Sequence, residues 1–162
     1  MFRKYEKIHR LGKEETDGIL TPGENVIITV QEKIDGANAS IWQDEAGNLQ
    51  RGSRNRALPE DESFNGFKEW VEDNHDKLQA VFAEYPNIRL YGEWLVRHSI
   101  AYNSTAYQKF YLFDVYGEEG FWDQEAVISL ADQFDLFQPQ VFFYNYLDKL
   151  NLDDLEKWAS GS

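Results

Sequence analysis

Short runs of apolar and β-branched residues, closed by turn residues, limit the possible folds of this sequence more than any other feature. These runs predict strands at residues 26–32, 37–42, 49–53, 88–94, 109–116 and 141–144. The turn Glu45-Ala46-Gly47-Asn48 lies between the second and third runs, which predicts a β-hairpin. Alternation within residues 109–116 places Tyr111 and Phe113 on one face of the strand and Phe110 and Leu112 on the other.

Helical periodicity separates these strands into groups. Apolar residues recur at helical spacing over residues 64–85, which predicts one amphipathic helix ending at Pro86-Asn87. Asp123 is predicted to cap a helix that runs through Phe134, and Asn151 to cap a short last helix. Hairpin strands interrupted by separate helices predict an α+β fold with mainly antiparallel sheets rather than a doubly wound parallel sheet.

Composition predicts a single folded domain over residues 1–162. The hydrophobic fraction is 42% and the aromatic fraction 15%, enough for a real core in a chain of 162 residues. No apolar run approaches the ~20 residues of a membrane span, and residues 1–7 lack the apolar centre of a signal peptide. The absence of cysteine excludes disulfides and thiolate metal sites. We therefore expect a cytoplasmic protein with no membrane partner.

The charge balance opposes a simple nucleic-acid-binding module. The formal net charge is −13, whereas such modules usually present a basic face. Arg51, Arg54 and Arg56 nevertheless form a basic cluster, and Arg97-His98 a second. A small basic cleft on an acidic body can still concentrate polyanions.

Lys33 is the strongest candidate for chemistry. It follows the strand of residues 26–32 and directly precedes Ile34-Asp35-Gly36-Ala37-Asn38. A lysine amine becomes nucleophilic when burial or a nearby cation lowers its pKa from the usual ~10.4. Asp35-Gly36 supplies a turn that would bring the backbone close to the group that Lys33 attacks. Taken alone, this segment fits a surface lysine at a hairpin better than a catalytic lysine.

Four segments together resemble motifs I, Ia, III and IIIa of the covalent nucleotidyltransferases, which include ATP-dependent ligases and capping enzymes. These segments are Glu32-Lys33-Ile34-Asp35-Gly36-Ala37-Asn38, Arg51-Gly52-Ser53-Arg54-Asn55-Arg56, Leu90-Tyr91-Gly92-Glu93-Trp94 and Phe110-Tyr111-Leu112-Phe113-Asp114-Val115. The chain is most similar to the phage-type double-strand RNA-repair ligases, because motif I ends in Gly36-Ala37-Asn38. The resemblance implies the ATP-grasp-like adenylation domain of ligases, in which two antiparallel sheets enclose a nucleotide cleft.

The resemblance implies roles for the residues around Lys33. Lys33 would attack the α-phosphate of ATP, with magnesium present, and form a lysyl-AMP. Glu32 and the backbone of Ile34 would meet the adenine. Asn38 would lie beside the ribose and phosphates, where DNA ligases usually carry arginine, and this difference favours RNA. Arg54 would contact the nucleotide, although Arg51 or Arg56 could enter the cleft instead.

Glu93 and Phe113 complete the implied site. A carboxylate at Glu93 can accept a hydrogen bond from a ribose hydroxyl or help to hold a hydrated metal ion, so the metal ligands remain open. The Phe113 ring would stack on adenine, although packing in the core is an equal alternative for a phenylalanine within an apolar strand. Gly92, before Glu93, would allow a ligand close to the backbone.

Motifs IV and V of the family are not found. Glu119-Gly120-Phe121-Trp122 and Glu156-Lys157-Trp158 are weak echoes that lack the expected lysines. We therefore expect a truncated adenylation domain, as an N-terminal fragment or a degenerate relative. The predicted function is an ATP-dependent RNA ligase of a bacterial or phage-infected cell that needs a missing C-terminal region to grip nucleic acid ends. A guanylyltransferase, a DNA ligase and a non-catalytic nucleotide-binding domain are the alternatives.

Overall fold

The computed structural model describes residues 1–5, 27–97 and 101–161. The chain divides into two units, and the boundary between them falls between Lys33 and Ile34 and again between Pro139 and Gln140. The large unit contains Met1–Tyr5 and Ile34–Pro139. The described part of the small unit consists of residues 27–33 and 140–161.

The small unit contains a two-stranded antiparallel sheet and a helix. Strand β1 (Ile27–Gln31) pairs with β7 (Val141–Tyr146), and helix α4 (Leu152–Gly161) follows. Asn151 caps α4, because its Oδ1 accepts the backbone N–H of Asp153 at 2.9 Å. The Trp158 ring of α4 stacks on Phe142 of β7 with ring centroids 5.7 Å apart. The predicted strands, last helix and Asn151 cap of this region are confirmed.

The large unit contains a five-stranded antiparallel sheet in the order β3-β2-β4-β5-β6. Its strands are β2 (Ala37–Gln43), β3 (Leu49–Gly52), β4 (Arg89–Trp94), β5 (Phe110–Gly117) and β6 (Gly120–Phe121). The predicted hairpin of β2 and β3 is present, with Gln43 opposite Leu49. The predicted α+β class with antiparallel sheets is therefore confirmed, while β6 was not anticipated.

Three helices of the large unit contribute apolar side chains to one core with the sheet. They are α1 (Phe67–Asp73), α2 (His75–Glu84) and α3 (Gln124–Phe134). Asp123 caps α3 as predicted, because its Oδ1 accepts the Ala126 N–H at 2.9 Å. The core side chains of the strands and of the helices are Ala39, Ile41, Leu90, Trp94, Phe110, Leu112, Val115, Phe67, Val71, Leu78, Val81, Phe82, Val127, Leu130 and Ala131.

The single helix predicted over residues 64–85 is wrong at two places. Positive φ angles of 52°, 55° and 91° at Phe64, Asn65 and Gly66 delay the start of α1. Asn74 then separates α1 from α2, with φ −104° and ψ 17°. Its side-chain Nδ2 donates to the Trp70 carbonyl at 2.8 Å, an interaction by which asparagine competes with regular helical bonding. Helical spacing of apolar residues survives this break, so periodicity alone does not reveal it.

The opposite face of the five-stranded sheet, called the front face below, carries Asn38, Tyr91, Glu93 and Phe113. Residues 1–5 pack on it: the Phe2 ring lies 6.1 Å from that of Trp42, and the Arg3 guanidinium 3.8 Å from the Tyr116 ring. No helix in the described residues is long and apolar enough to cross a membrane.

Candidate active site

The backbone of the turn that follows Lys33 is held by hydrogen bonds to side chains of the large unit, to which the turn itself belongs. Lys33 is exposed, and Ile34, only 8% exposed, is the first residue of the large unit after it. The Asp35 N–H donates to the Tyr102 hydroxyl at 2.8 Å, and the Gly36 N–H donates to Glu93 Oε1 at 3.2 Å. The backbone N–H groups of two consecutive residues near Lys33 thus donate to side-chain oxygens from distant parts of the chain.

Gly36 is required by close packing in this turn. A Cβ at this position would lie 2.5 Å from the Trp94 carbonyl oxygen and 3.0 Å from the Leu95 Cα. Both are backbone atoms, so a side chain would force the turn away from β4. The chain bends at Gly36, where the sequence predicts a turn, and glycine permits the approach of this segment to β4.

Asn38 and Glu93 are direct cross-strand neighbours. Asn38 of β2 pairs with Glu93 of β4, and both side chains are half-buried on the front face. Directly opposed residues in an antiparallel pair have Cβ atoms about 4.5–5.5 Å apart. An amide and a carboxylate at this spacing can both contact one polar ligand, because the amide donates or accepts and the carboxylate accepts.

Phe113 lies on the front face at a β-bulge. The register of β4 and β5 shifts so that Tyr91 opposes Asp114 while Gly92 opposes Leu112, which leaves Phe113 as the additional residue. Tyr5 contacts both bulge residues, since its ring lies 5.0 Å from the Phe113 ring and its hydroxyl donates to Asp114 Oδ2 at 2.8 Å. The predicted separation of Phe113 from Leu112 is confirmed, and Phe113 lies outside the helix-side core.

Gly92 serves packing at this bulge. A Cβ there would lie 2.4 Å from the Tyr111 carbonyl oxygen and 2.6 Å from the Phe110 ring. The space beside Gly92 is filled by β5 itself, so the interpretation that this glycine admits a ligand is wrong.

Tyr91 connects the front face to residues 1–5. It is 1% exposed, and its hydroxyl donates to the Arg3 carbonyl at 2.6 Å. Burial raises the pKa of the Tyr91 phenol above its ordinary value, so the donor stays protonated through neutral pH. Its ring also packs on Tyr5, 5.1 Å between centroids. Residues 1–5 therefore belong to the scaffold around Glu93 and Phe113, a role that no motif in the sequence predicted.

The three arginines of the basic cluster have different surroundings. Arg51 is 6% exposed on the helix side of the sheet, where its Nη2 donates to the Pro59 carbonyl at 2.9 Å. Arg56 is exposed and makes two bonds to Glu62 at 2.7 and 2.9 Å. Arg54 lies exposed in the loop after β3, with no ion pair among the described residues. Arg54 is therefore the member of the cluster best suited to meet a ligand.

Glu32 belongs with Lys33 to the small unit. Its backbone N–H donates to the Gln140 carbonyl at 2.8 Å, which extends the pairing of β1 and β7 by one bond. The Glu32 side chain is half-buried. The proposed meeting of Glu32 and the Ile34 backbone with adenine remains a prediction.

The described residues contain no group of three or more His, Asp or Glu side chains that could hold a metal ion. Glu93 is the carboxylate to which the Gly36 amide donates. One carboxylate suits a Mg²⁺ ion that takes its other ligands from water and from the phosphates of a nucleotide, the usual mode for this ion.

Cavities formed by the described residues include two that lie away from these side chains. One of about 380 Å³ lies between β3 and helices α1 and α2 and includes Arg51, and the other, of about 780 Å³, lies beside Tyr85 and Trp122. Neither is lined by Asn38, Glu93 or Phe113.

The two segments that weakly resemble the later motifs lie in different parts of the fold. Glu119 lies in the tight connection between β5 and β6, and Gly120, with φ 109°, is the first residue of β6. Lys157 and Trp158 lie on α4. The exposed Arg97 guanidinium lies 5.4 Å from the Tyr107 ring, and His98 lies outside the described residues.

Similar folds occur in solved ligase structures. An archaeal ATP-dependent RNA ligase matches with a TM-score of 0.72 and 19% identity, covering 96% of this chain and 42% of its own. A Naegleria gruberi RNA ligase with PPi matches with a TM-score of 0.64 and 18% identity, covering 84% of this chain and 42% of its own. A protein of Aquifex aeolicus with the provisional name of ATP-dependent DNA ligase matches with a TM-score of 0.66 and 19% identity, covering 97% of this chain and 42% of its own.

The fold is thus that of ligase adenylation domains, as predicted, and the chain spans about two-fifths of the length of these structures. The sequence profile of the RNA ligase family matches residues 26–159. The chain belongs to the RNA ligase family. A comparison with curated proteins finds no match.

Proposed function

We propose that this chain is the nucleotide-binding part of an ATP-dependent RNA ligase that acts through a lysyl-AMP at Lys33. The observation that carries the proposal is the bond from the Gly36 amide to Glu93, which fastens the turn after Lys33 beside the Asn38–Glu93 pair. Membership of the RNA ligase family and the fold of adenylation domains support it.

The first step would join Lys33 to AMP. The lone pair of the Lys33 Nζ forms a bond to the α-phosphorus of ATP, the bond from that phosphorus to the bridging oxygen breaks, and pyrophosphate leaves. The amine must be neutral to attack, so it gives its proton to solvent or to a nearby base. The product is a phosphoramidate between Lys33 and AMP.

The residues around Lys33 that the sequence singles out would hold the nucleotide. Glu93 would accept from a ribose hydroxyl, and Asn38 would lie beside the ribose and phosphates. Phe113, on the bulge, would stack on the adenine, while Glu32 and the Ile34 backbone would meet its edge. The exposed Arg54 guanidinium would bind phosphate or ribose oxygens through its fork of donors.

A divalent metal ion would supply charge neutralisation of the triphosphate. Glu93 would help to hold it, with the phosphates and water as the remaining ligands. Structures of the Naegleria gruberi ligase include variants with ATP and Mn and with AMP and Mn, which is in keeping with such an ion.

Two further steps would seal a nucleic acid strand. The 5′-phosphate of one end displaces Lys33 from AMP, and the 3′-hydroxyl of the other end then attacks that phosphate and releases AMP. Asn38, at the place where DNA ligases usually carry arginine, and the RNA ligase profile favour RNA ends over DNA ends. We place the protein in the cytoplasm of a bacterial or phage-infected cell.

The alternatives differ in the nucleotide that they load. A DNA ligase would form the same lysyl-AMP, and the similarity to the Aquifex aeolicus protein supports this alternative. A capping-type guanylyltransferase would load GTP. A domain that binds nucleotides without catalysis would form no covalent adduct.

Intact-mass spectrometry with ATP and magnesium, or with GTP and magnesium, separates these functions. In the longest natural form of the protein we expect one AMP on the peptide that contains Lys33 and no GMP. Lys33→Ala should abolish the adduct, and Lys33→Arg should do the same because arginine remains protonated.

Lys149→Ala is the matched control, because Lys149 is another exposed lysine of the small unit. This variant should take up AMP as the wild type does. A normal adduct in Lys33→Ala would overturn the assignment of Lys33, and GMP in place of AMP would favour the guanylyltransferase.

A further inference from the structure

We propose that Tyr102 is a positioning residue that holds the turn after Lys33 in the geometry needed for attack on ATP. This inference rests on the proposed function and adds to it a residue that lies in none of the four motifs. The hydroxyl oxygen of Tyr102 accepts the backbone N–H of Asp35 at 2.8 Å, two residues beyond Lys33.

The turn depends on contacts from distant residues. Residues 32–36 lie between strands β1 and β2, and the Asp35 amide bonds to a side chain instead of to a neighbouring strand. Its partner Tyr102 is 67 residues away in the chain, and Glu93, the partner of the Gly36 amide, is 57 residues away. Both bonds are partly buried, and loss of an acceptor at such a site leaves a donor poorly satisfied.

The segment of residues 101–109, called the strap below, holds Tyr102 in place. The Tyr102 N–H donates to the Tyr107 hydroxyl at 2.9 Å, and the two rings meet edge to face at 6.2 Å. Tyr111 of β5 donates from its hydroxyl to the Ala106 carbonyl at 2.8 Å. Tyr102 is therefore presented by a segment whose own backbone is tied to the sheet.

The C-terminal end of the strap is bonded to the segment that follows β4. The Gln108 N–H donates to the Leu95 carbonyl at 2.8 Å, and the Leu95 N–H donates to the Lys109 carbonyl at 3.1 Å. Asn103 also stabilises the short 3-10 helix Ser104–Ala106, because its Oδ1 accepts from the Thr105 N–H at 3.1 Å. The strap thus connects the strand that carries Glu93 with the strand that carries Phe113.

The expected consequence is on rate rather than on nucleotide affinity. Attack by Lys33 requires alignment with the bond to the leaving pyrophosphate, and small misplacements of a reacting group can cost about a hundredfold in rate. The proposed function gives the nucleotide contacts to Asn38, Arg54, Glu93 and Phe113. A substitution at Tyr102 should therefore lower the first-order rate of lysyl-AMP formation and change ATP binding little.

Two measurements on Tyr102→Phe test this. Amide hydrogen exchange by NMR on the 162-residue chain should show exchange at Asp35 at least about tenfold faster than in wild type, because a partly buried amide has lost its acceptor. Single-turnover AMP transfer, in the form of the protein that gives the adduct, should slow about tenfold, with the apparent ATP dissociation constant within about threefold of wild type.

Tyr85→Phe is the matched control, since it also removes one phenol, from a half-buried ring that packs on Trp122. It should leave both Asp35 exchange and AMP transfer unchanged. Unchanged AMP transfer in Tyr102→Phe overturns the inference, and so does slowed transfer without faster exchange at Asp35. A change confined to ATP affinity overturns it as well, because Tyr102 would then bind the nucleotide itself.

Failure of the proposed function gives a different result. If the wild-type protein never takes up AMP, the ligase proposal and the role of Tyr102 within it both fail. If the wild type takes up AMP and Tyr102→Phe does so equally fast, only the inference about Tyr102 fails.

Discussion

Glu93 links two segments that lie far apart in the chain. Its Oε1 accepts the Gly36 amide at 3.2 Å, and its partner across the sheet is Asn38. A carboxylate in this position combines two tasks, because it fastens the turn after Lys33 and presents negative charge on the front face. The proposed ribose contact would use the same side chain.

Substitution of Glu93 should separate these tasks. Glu93→Ala removes both the charge and the acceptor for Gly36, and we expect a strong loss of lysyl-AMP formation. Glu93→Gln keeps an amide oxygen that can accept from Gly36, so its rate should lie between those of wild type and Glu93→Ala. Single-turnover adenylylation measures both rates. A wild-type rate in Glu93→Ala would contradict the assignment.

Phe113 should contribute to ATP binding through its ring. Loss of one stacked aromatic typically costs ~1–3 kcal/mol, so Phe113→Ala should weaken ATP binding by roughly tenfold or more in calorimetric titration. Phe137→Ala is the control, because Phe137 is 43% exposed and is not assigned to the site.

The Phe113 prediction depends on the fold staying intact, which thermal unfolding followed by circular dichroism checks. If Phe113→Ala unfolds the protein, the alternative that Phe113 serves packing with Tyr5 and its neighbours is correct. If the variant folds and binds ATP as the wild type does, Phe113 does not stack on the base.

At the scale of elements, helix starts and breaks depend on short polar side chains. The Asp123 carboxylate accepts the Ala126 N–H at 2.9 Å, and Asn74 interrupts the helical segment between α1 and α2. Both residues act through local hydrogen bonds with backbone groups. Asp123 could be recognised from sequence because it directly precedes an apolar helical pattern, whereas the effect of Asn74 depends on which backbone angles the packed helices allow.

Removal of the α3 cap should destabilise the large unit. Asp123→Ala should lower the free energy of unfolding by about 1 kcal/mol, because the N-terminal amides of α3 lose their acceptor. Asp123→Ser keeps a capping oxygen and should retain most of that stability. Urea unfolding followed by circular dichroism measures both variants, and equal stability of Asp123→Ala and wild type would show that water replaces the cap at no cost.

At the scale of the whole molecule, the net charge and the length of the chain limit the ATP binding and lysyl-AMP formation that we expect of the 162 residues. The net charge of −13 repels ATP outside a basic pocket, and the chain spans about two-fifths of the ligase structures that it resembles. The family motifs IV and V, whose lysines would stabilise the charge that develops as pyrophosphate leaves, are not found in the sequence.

The 162-residue chain alone should therefore bind ATP weakly and form little or no lysyl-AMP. Removal of one donor that stabilises developing charge can cost ~2.7–4 kcal/mol, and several such groups are missing, although their effects do not add simply. Intact-mass spectrometry with ATP and magnesium measures the adduct. A longer natural chain that carries the later motifs, or such a segment supplied separately, should restore it. Rapid, stoichiometric uptake of AMP by the 162 residues would contradict this prediction.

Local sequence patterns by themselves determined the described strands other than β6, the α+β class and the caps at Asp123 and Asn151, because these features depend on a few neighbouring residues. Motif order likewise determined the family. Tertiary structure alone decided which side chains meet. The bulge at Phe113, the packing of Gly92 against β5 and the bond from Asp35 to Tyr102 join residues whose proximity depends on strand register and on segments far apart in the chain. No local pattern encodes such contacts, since they form only when the sheet and the strap are assembled.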